Sequence, residues 1–305
     1  MSEPASIETV AAGLAALQEQ IAAGLAAADG GVFVRRRWNS QLGEGTGLLL
    51  EDGAVLERAG VSMSEVAASS LPPAASAARP ELAGRPYRAA GVSVVVHPRN
   101  PYAPTVHLNL RFFTTADADP AWWFGGGMDL TPHYGFVEDC RHFHLTCKQA
   151  LEPHGAELHP RFKAACDEYF FIKHRRQARG IGGVFFDDHA AGGFAKAWAC
   201  AAGVGAAFLP AYLPILERRR GMDYGPAQRA HQLFRRGRYV EFNLVQDRGT
   251  LFGLQSGGEI DAILMSLPPL AGWDALAAGR DPRDEEVLAR DFLQPRDWLA
   301  AAAES

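Results

Sequence analysis

The sequence predicts an α+β fold in which an antiparallel or mixed sheet is covered by helices. Three observations predict it. Segments alternating apolar and polar residues with period two come in successive groups along the chain. Long stretches with apolar residues three and four apart are interleaved with them. The composition, 48 % hydrophobic and 21 % charged over 305 residues, is that of an ordinary folded protein, which excludes disorder and low-complexity fibre.

Taken in order, Val10, Leu14, Leu17, Ile21 and Leu25 predict an amphipathic helix over 6–29, closed by Gly30-Gly31. A second short helical stretch is expected before Leu71-Pro72-Pro73, and the Ala-, Pro- and Ser-rich run from Ala67 to Gly91 reads as a surface connection. Strands follow at Val92–His97, Thr105–Phe113, Trp122–Leu130 and Gly183–Asp187, with three more expected at Tyr239–Val245, Thr250–Leu254 and Asp261–Leu267. Helices are expected over 137–151, 160–178 and 191–218.

Lys and Arg number 30 against 35 Asp and Glu, a net charge of −5, which speaks against nucleic acid or an anionic membrane as partner. No apolar run is expected to reach membrane-span length, and the acidic start Met1-Ser2-Glu3-Pro4 lacks the basic flank of a signal peptide; a cytoplasmic protein is expected. Cys140, Cys147, Cys166 and Cys200 show no C-x-x-C spacing and read as reduced core residues.

The strand Thr105–Phe113 is the most informative. One face carries Val106, Leu108, Leu110 and Phe112; the other carries Thr105, His107, Asn109 and Arg111. Alternation alone describes any half-buried strand with a wet face. The residue types go further, because they supply a proton carrier, an amide and a carboxylate fork. Ser93 and His97 share one face of the preceding strand. On the helices, His144 lies on a stripe with Cys140, Cys147 and Leu151, and His174 on one with Phe162, Cys166 and Phe170. A histidine on an apolar face is usually a hydrogen-bonded core residue; convergence of His97, His107, His144 and His174 on a divalent metal is the alternative. Gly125–Gly127, Gly180–Gly183 and Gly253–Gly258 match no nucleotide fingerprint and read as tight turns or close packing. Asp129 and Asp247 read as turn residues unless a cleft receives them.

The segments Asn100–Phe113, Trp122–Pro132, Arg179–Asp188, Arg235–Val245, Asp247–Thr250 and Ile263–Pro269 resemble, in order, those of oxygen-dependent coproporphyrinogen-III oxidases, and the resemblance runs from about Val32 to Trp273. It implies one domain over 1–305, a broad antiparallel sheet with helices on both faces, and a homodimer. It implies oxidative decarboxylation of two propionates of coproporphyrinogen III, with dioxygen as co-substrate and no organic cofactor. Ser93 and Asn109 match substrate contacts, and His107 matches a proton donor. Arg111, Arg179 and Arg248 are the candidates for holding carboxylates, and Asp129 or Asp247 for meeting a pyrrole N–H. Gly257 and Gly258 fall in the substrate segment. His97, His107, His144 and His174 match histidines assigned to a divalent metal, Mn²⁺ or Mg²⁺, in bacterial members.

The chain departs from this pattern at Glu259, where the family carries an arginine toward a substrate carboxylate; Gln246 and Gly272 also differ. Two like charges about 4 Å apart repel by roughly 4 kcal/mol at an effective dielectric near 20. The departure therefore raises the alternative of a diverged tetrapyrrole-binding paralogue.

Overall fold

The computed structural model describes residues 6–71, 79–118, 120–255, 258–274 and 279–300. Helix α1 (Ile7–Asp29) forms where expected. Ser6 accepts the Thr9 N–H at 3.2 Å to cap it, and Gly30, at φ 82°, ends it. Val10, Leu14, Ile21 and Leu25 are its buried stripe.

Seven strands make one sheet, every neighbouring pair antiparallel: β1 (Val34–Ser40), β2 (Gly43–Glu51), β3 (Leu56–Ala68), β4 (Tyr87–Pro98), β5 (Thr105–Thr115), β6 (Trp122–Thr131) and, at the far edge, β9 (Gly182–His189). The period-two reading holds for β4, β5, β6 and β9. It missed β1, β2 and β3, and the helical stretch expected before Leu71 is the end of β3. Gly43, Gly45 and Gly47 in β2, and three consecutive arginines in β1, hide the alternation there. The connection expected over Ala67–Gly91 is shorter than predicted, because β3 and β4 extend into it.

Helix α2 (Val137–Leu151) matches its expected span. The helix expected over 160–178 is instead α3 (Leu158–Tyr169) followed by a small hairpin, β7 (Phe171–Ile172) and β8 (Gln177–Ala178), whose turn places Arg176 at φ 56°. The helix expected over 191–218 is two, α4 (Phe194–Ala206) and α5 (Phe208–Arg219), joined at Ala207. The three strands expected near the C-terminus are helical: α6 (Pro226–Val245), α7 (Arg248–Gln255) and α8 (Ile260–Leu264), with α9 (Pro282–Asp291) beyond. The buried side of α6 carries His231, Gln232, Arg235, Arg236 and Asn243 beside Phe234, Tyr239 and Phe242. A helix whose inner face is this polar shows no apolar 3.6 periodicity to read.

Helices cover both faces. Val92, Val94, Val96, Leu108, Leu110, Phe112, Met128 and Val184 point to one side and form the main core with α1, α2, α4 and α5. Each fully buried Val or Leu there is worth about 1.5–3 kcal/mol of transfer free energy. Helices α6, α7 and α8 cover the other face, where Arg236 donates to Glu57 and Met265 sits against Gly60. Two stretches, Ile7–Asp29 and Phe194–Arg219, do reach the length and mean hydropathy of a membrane span, contrary to expectation. Both contribute their buried residues to the main core.

Candidate active site

The second face of the sheet becomes a cleft because its cross-strand rows are small or polar. One row runs Trp38–Gly45–Ser64–Gly91–Arg111–Gly125 and the next runs Ser62–Ser93–Asn109–Gly127–Phe185. Side chains with no bulk leave a floor rather than a packed layer. The cleft above it, about 330 Å³, is roofed by Asn243, Asp247, Thr250, Gly258 and Glu259 from α6–α8, with Tyr169 and Phe170 at the end of α3. Ser93, His107, Asn109, Arg111 and Arg179 line it as well.

Asp129 sits beneath His107. Its Oδ1 is 3.0 Å from His107 Nδ1 and accepts Arg179 NH2 at 2.7 Å, while Oδ2 accepts Arg179 Nε at 3.2 Å. Arg179 gives its third nitrogen to Asn243 Oδ1 at 3.0 Å, and its plane lies 4.1 Å from the Phe170 ring centroid. The Asp129 and Arg179 side chains are 1 % and 2 % exposed. Burial by itself raises the Asp129 pKa, but the Arg179 charge and the His107 hydrogen bond outweigh it and hold the carboxyl below its usual range. Burial likewise works against the Arg179 cation, and the Asp129 charge reverses it. All three Arg179 nitrogens are paired, with Asp129 and Asn243, in a side chain that also lines the cleft. Asp129 is not among the residues that line the cleft, and its carboxylate contacts are to His107 and Arg179. Held through Nδ1 by Asp129, His107 lines the cleft.

Asp247 does line the cleft and also caps α7. Its Oδ2 accepts Thr250 N–H at 2.7 Å and the Thr250 hydroxyl at 2.9 Å, and its Oδ1 accepts the Tyr169 hydroxyl at 2.9 Å. Arg111 and Arg248 meet at Asp187, which accepts Arg111 NH2 at 2.7 Å and Arg248 NH2 at 3.0 Å. Glu259 precedes α8, lines the cleft and makes no side-chain hydrogen bond to the helix. Gly258 lines the cleft; Gly257 lies outside the described residues.

The four histidines expected to share a metal do not come together. His97 is buried under the roof, its Nδ1 3.1 Å from Thr105 Oγ1 and its Nε2 2.9 Å from the Ser266 carbonyl; burial, reinforced by Arg236, pushes its pKa far down. His144 is on the opposite side of the sheet, where it donates to the Ile181 carbonyl at 2.9 Å, and burial pushes it to about 4. His174 is in the β7–β8 turn, paired with Glu241 at 2.8 Å. Among the described residues no group of three or more His, Cys, Asp or Glu is placed to hold a metal ion. The four lie in different parts of the structure, and each has at least one ring nitrogen on a protein partner, so the set does not fit a shared ion.

Sequence reasoning did not single out Asn243, Tyr169 or Asp187. Asn243 and Asp187 fall in segments that carried the resemblance and Tyr169 in none, and only the structure shows that they touch Arg179, Arg111 and Asp247.

This arrangement is that of an enzyme handling a carboxylated ligand by acid–base chemistry, with cations at the wall and an oriented imidazole at the floor. The coproporphyrinogen III oxidase family model matches residues 9–298, and the chain belongs to that family. Membership makes it, at family level, an oxidoreductase of haem and porphyrin biosynthesis acting on a coproporphyrinogen-type substrate.

Proposed function

We propose that the protein converts two propionates of coproporphyrinogen III to vinyl groups, giving protoporphyrinogen IX, in the cytoplasm and as a homodimer. The observation that carries this is the His107–Asp129–Arg179 unit at a Gly- and Ser-floored cleft that Arg111 also lines, with Arg248 tied to Arg111 through Asp187 beside it. For each propionate the balance is R–CH₂–CH₂–COO⁻ + O₂ + H⁺ → R–CH=CH₂ + CO₂ + H₂O₂. The macrocycle loses two electrons with the carboxylate and one C–H, and dioxygen gains them. No organic redox group enters this balance, but one proton per turnover does. His107, with its Nδ1–H donated to Asp129, is the group that delivers it from Nε2. Arg111 and Arg248 hold propionates, Ser93 and Asn109 set the macrocycle on the floor, and Asp247 is the cleft carboxylate that meets a pyrrole N–H and enriches the ring in electrons.

Purified protein incubated with coproporphyrinogen III in air and under nitrogen tests this by chromatography of the products. Oxygen-dependent formation of protoporphyrinogen IX is expected; no conversion in air refutes the reading. Glu259 supports the second reading, a diverged tetrapyrrole-binding relative, because its carboxylate lines the cleft. That reading expects a retained porphyrin without CO₂ release.

A further inference from the structure

The position of Asp187 is unusual for a strand residue. Strand β9 pairs with β6 at Phe185–Gly127 and Phe186–Gly126 and then slips, so that Phe124 pairs with His189. The extra residue is Asp188, at φ 53°, a left-handed conformation that a side chain adopts only under constraint. Arg79, stacked 4.1 Å from the Trp123 ring centroid, pairs with Asp188 at 3.1 Å and holds the bulge from outside. The bulge sets Asp187 against Arg111, which lines the cleft. Opposite it, a Cβ on Gly125 would lie 2.8 Å from both Arg111 Nε and Asp187 Oδ1, so the absence of a side chain there makes room for this pair.

Each oxygen of Asp187 takes one nitrogen from a different arginine, Arg111 on the sheet and Arg248 at the start of α7. Arg111 lines the cleft, and its NH1 has only a long 3.5 Å contact, to Asn109 Oδ1; Arg248 is 62 % exposed and lies between Asp247 and Gly249, which line the cleft. We propose that Asp187 is a positioning residue for substrate binding: it holds two guanidiniums side by side, floor and roof together, so that a propionate docks across their free edges. This rests on the functional reading above. Without Asp187 the two cations repel, and the roof arginine loses its tie to the sheet. The clamp would then have to be assembled by the ligand itself.

The test has an informative sign. Removing a negative charge from a site that binds anions should, by charge alone, tighten binding. Positioning predicts the reverse. For D187N, Kd for coproporphyrin III, read by its fluorescence, and KM for coproporphyrinogen III are expected to rise about tenfold, with kcat changed less than twofold and D187E restoring most of the loss. Tighter or unchanged binding in D187N, or a loss confined to kcat, overturns the proposal. A readout independent of any porphyrin separates its failure from failure of the functional reading. In the free protein, the Arg111 and Arg248 Nε–H resonances are expected to be ordered in the wild type and broadened in D187N. Unchanged resonances overturn the proposal even where the wild type turns over normally. Ordered resonances lost in D187N, in a wild type that ignores coproporphyrinogen, uphold the clamp and refute the substrate.

Discussion

Asp129 and Asp187 each bridge two nitrogen-bearing side chains near the same cleft, yet burial makes them different devices. Asp129 joins Arg179 and His107 where its side chain is 1 % exposed; Asp187 joins Arg111 and Arg248 where it is 30 % exposed and Arg248 62 %. A buried pair has no solvent to replace a lost partner, so its geometry is fixed and its breakage is severe. A pair open to water is weak, screened and exchangeable. The first suits the orientation of a proton carrier through every turnover. The second suits carboxylates that must arrive and leave.

The largest effect expected from this contrast is on stability. Arg179→Met leaves Asp129 charged and buried without its counter-ion, and unfolding by urea at pH 7 should show a loss of about 3–5 kcal/mol. Truncating Arg248 to Ala should cost less than about 1 kcal/mol. The sign of the pH dependence follows from Asp129, whose folded pKa lies below its unfolded value of about 3.9. Its contribution is complete above about pH 4 and is lost as pH falls through the folded value. The gap between wild type and Arg179→Met should therefore be widest above pH 4 and narrow below it.

A second effect comes earlier on acidification. His97, His133 and His144 are buried, and burial depresses all three, His144 to about 4. Below about pH 6.5 the unfolded chain binds protons that the folded chain refuses. Stability should fall from pH 6.5 toward pH 4, before Asp129 titrates, and His144→Leu should flatten part of that slope in denaturation curves collected across the range.

Smaller effects concern the ligand. Glu259→Arg replaces repulsion by attraction at the cleft wall and should lower KM several-fold with kcat little changed; steady-state kinetics would show it. His174→Ala, on the β7–β8 turn and paired with Glu241, should leave turnover within about twofold. A large loss there would reopen the shared metal that the histidine positions argue against.

What was legible in the sequence follows the same physics. β5 could be read because one face is apolar and the other carries His107, Asn109 and Arg111, and all three line the cleft. Helix α6 could not, because Arg235, Arg236 and Asn243 are buried on the side that should have been apolar. Strand β2 was invisible because Gly45, part of the small-residue floor, carries no pattern. The resemblance supplied the family and the polar cleft residues Ser93, His107, Asn109, Arg111, Arg179, Asp247 and Glu259. It did not give their exposure, and exposure is what separates the buried Arg179–Asp129 pair from the open Arg248–Asp187 pair. It also aligned four histidines that the fold keeps on different sides of the sheet.

In the proposed reaction Asp129 acts through His107 on the chemical step and not on binding. Single-turnover oxidation of bound coproporphyrinogen III by Asp129→Asn, with folding verified, tests it most directly. The account predicts substrate affinity within a few-fold of wild type and a rate of product formation lower by about 10²–10⁴. A normal rate with weakened binding would contradict it.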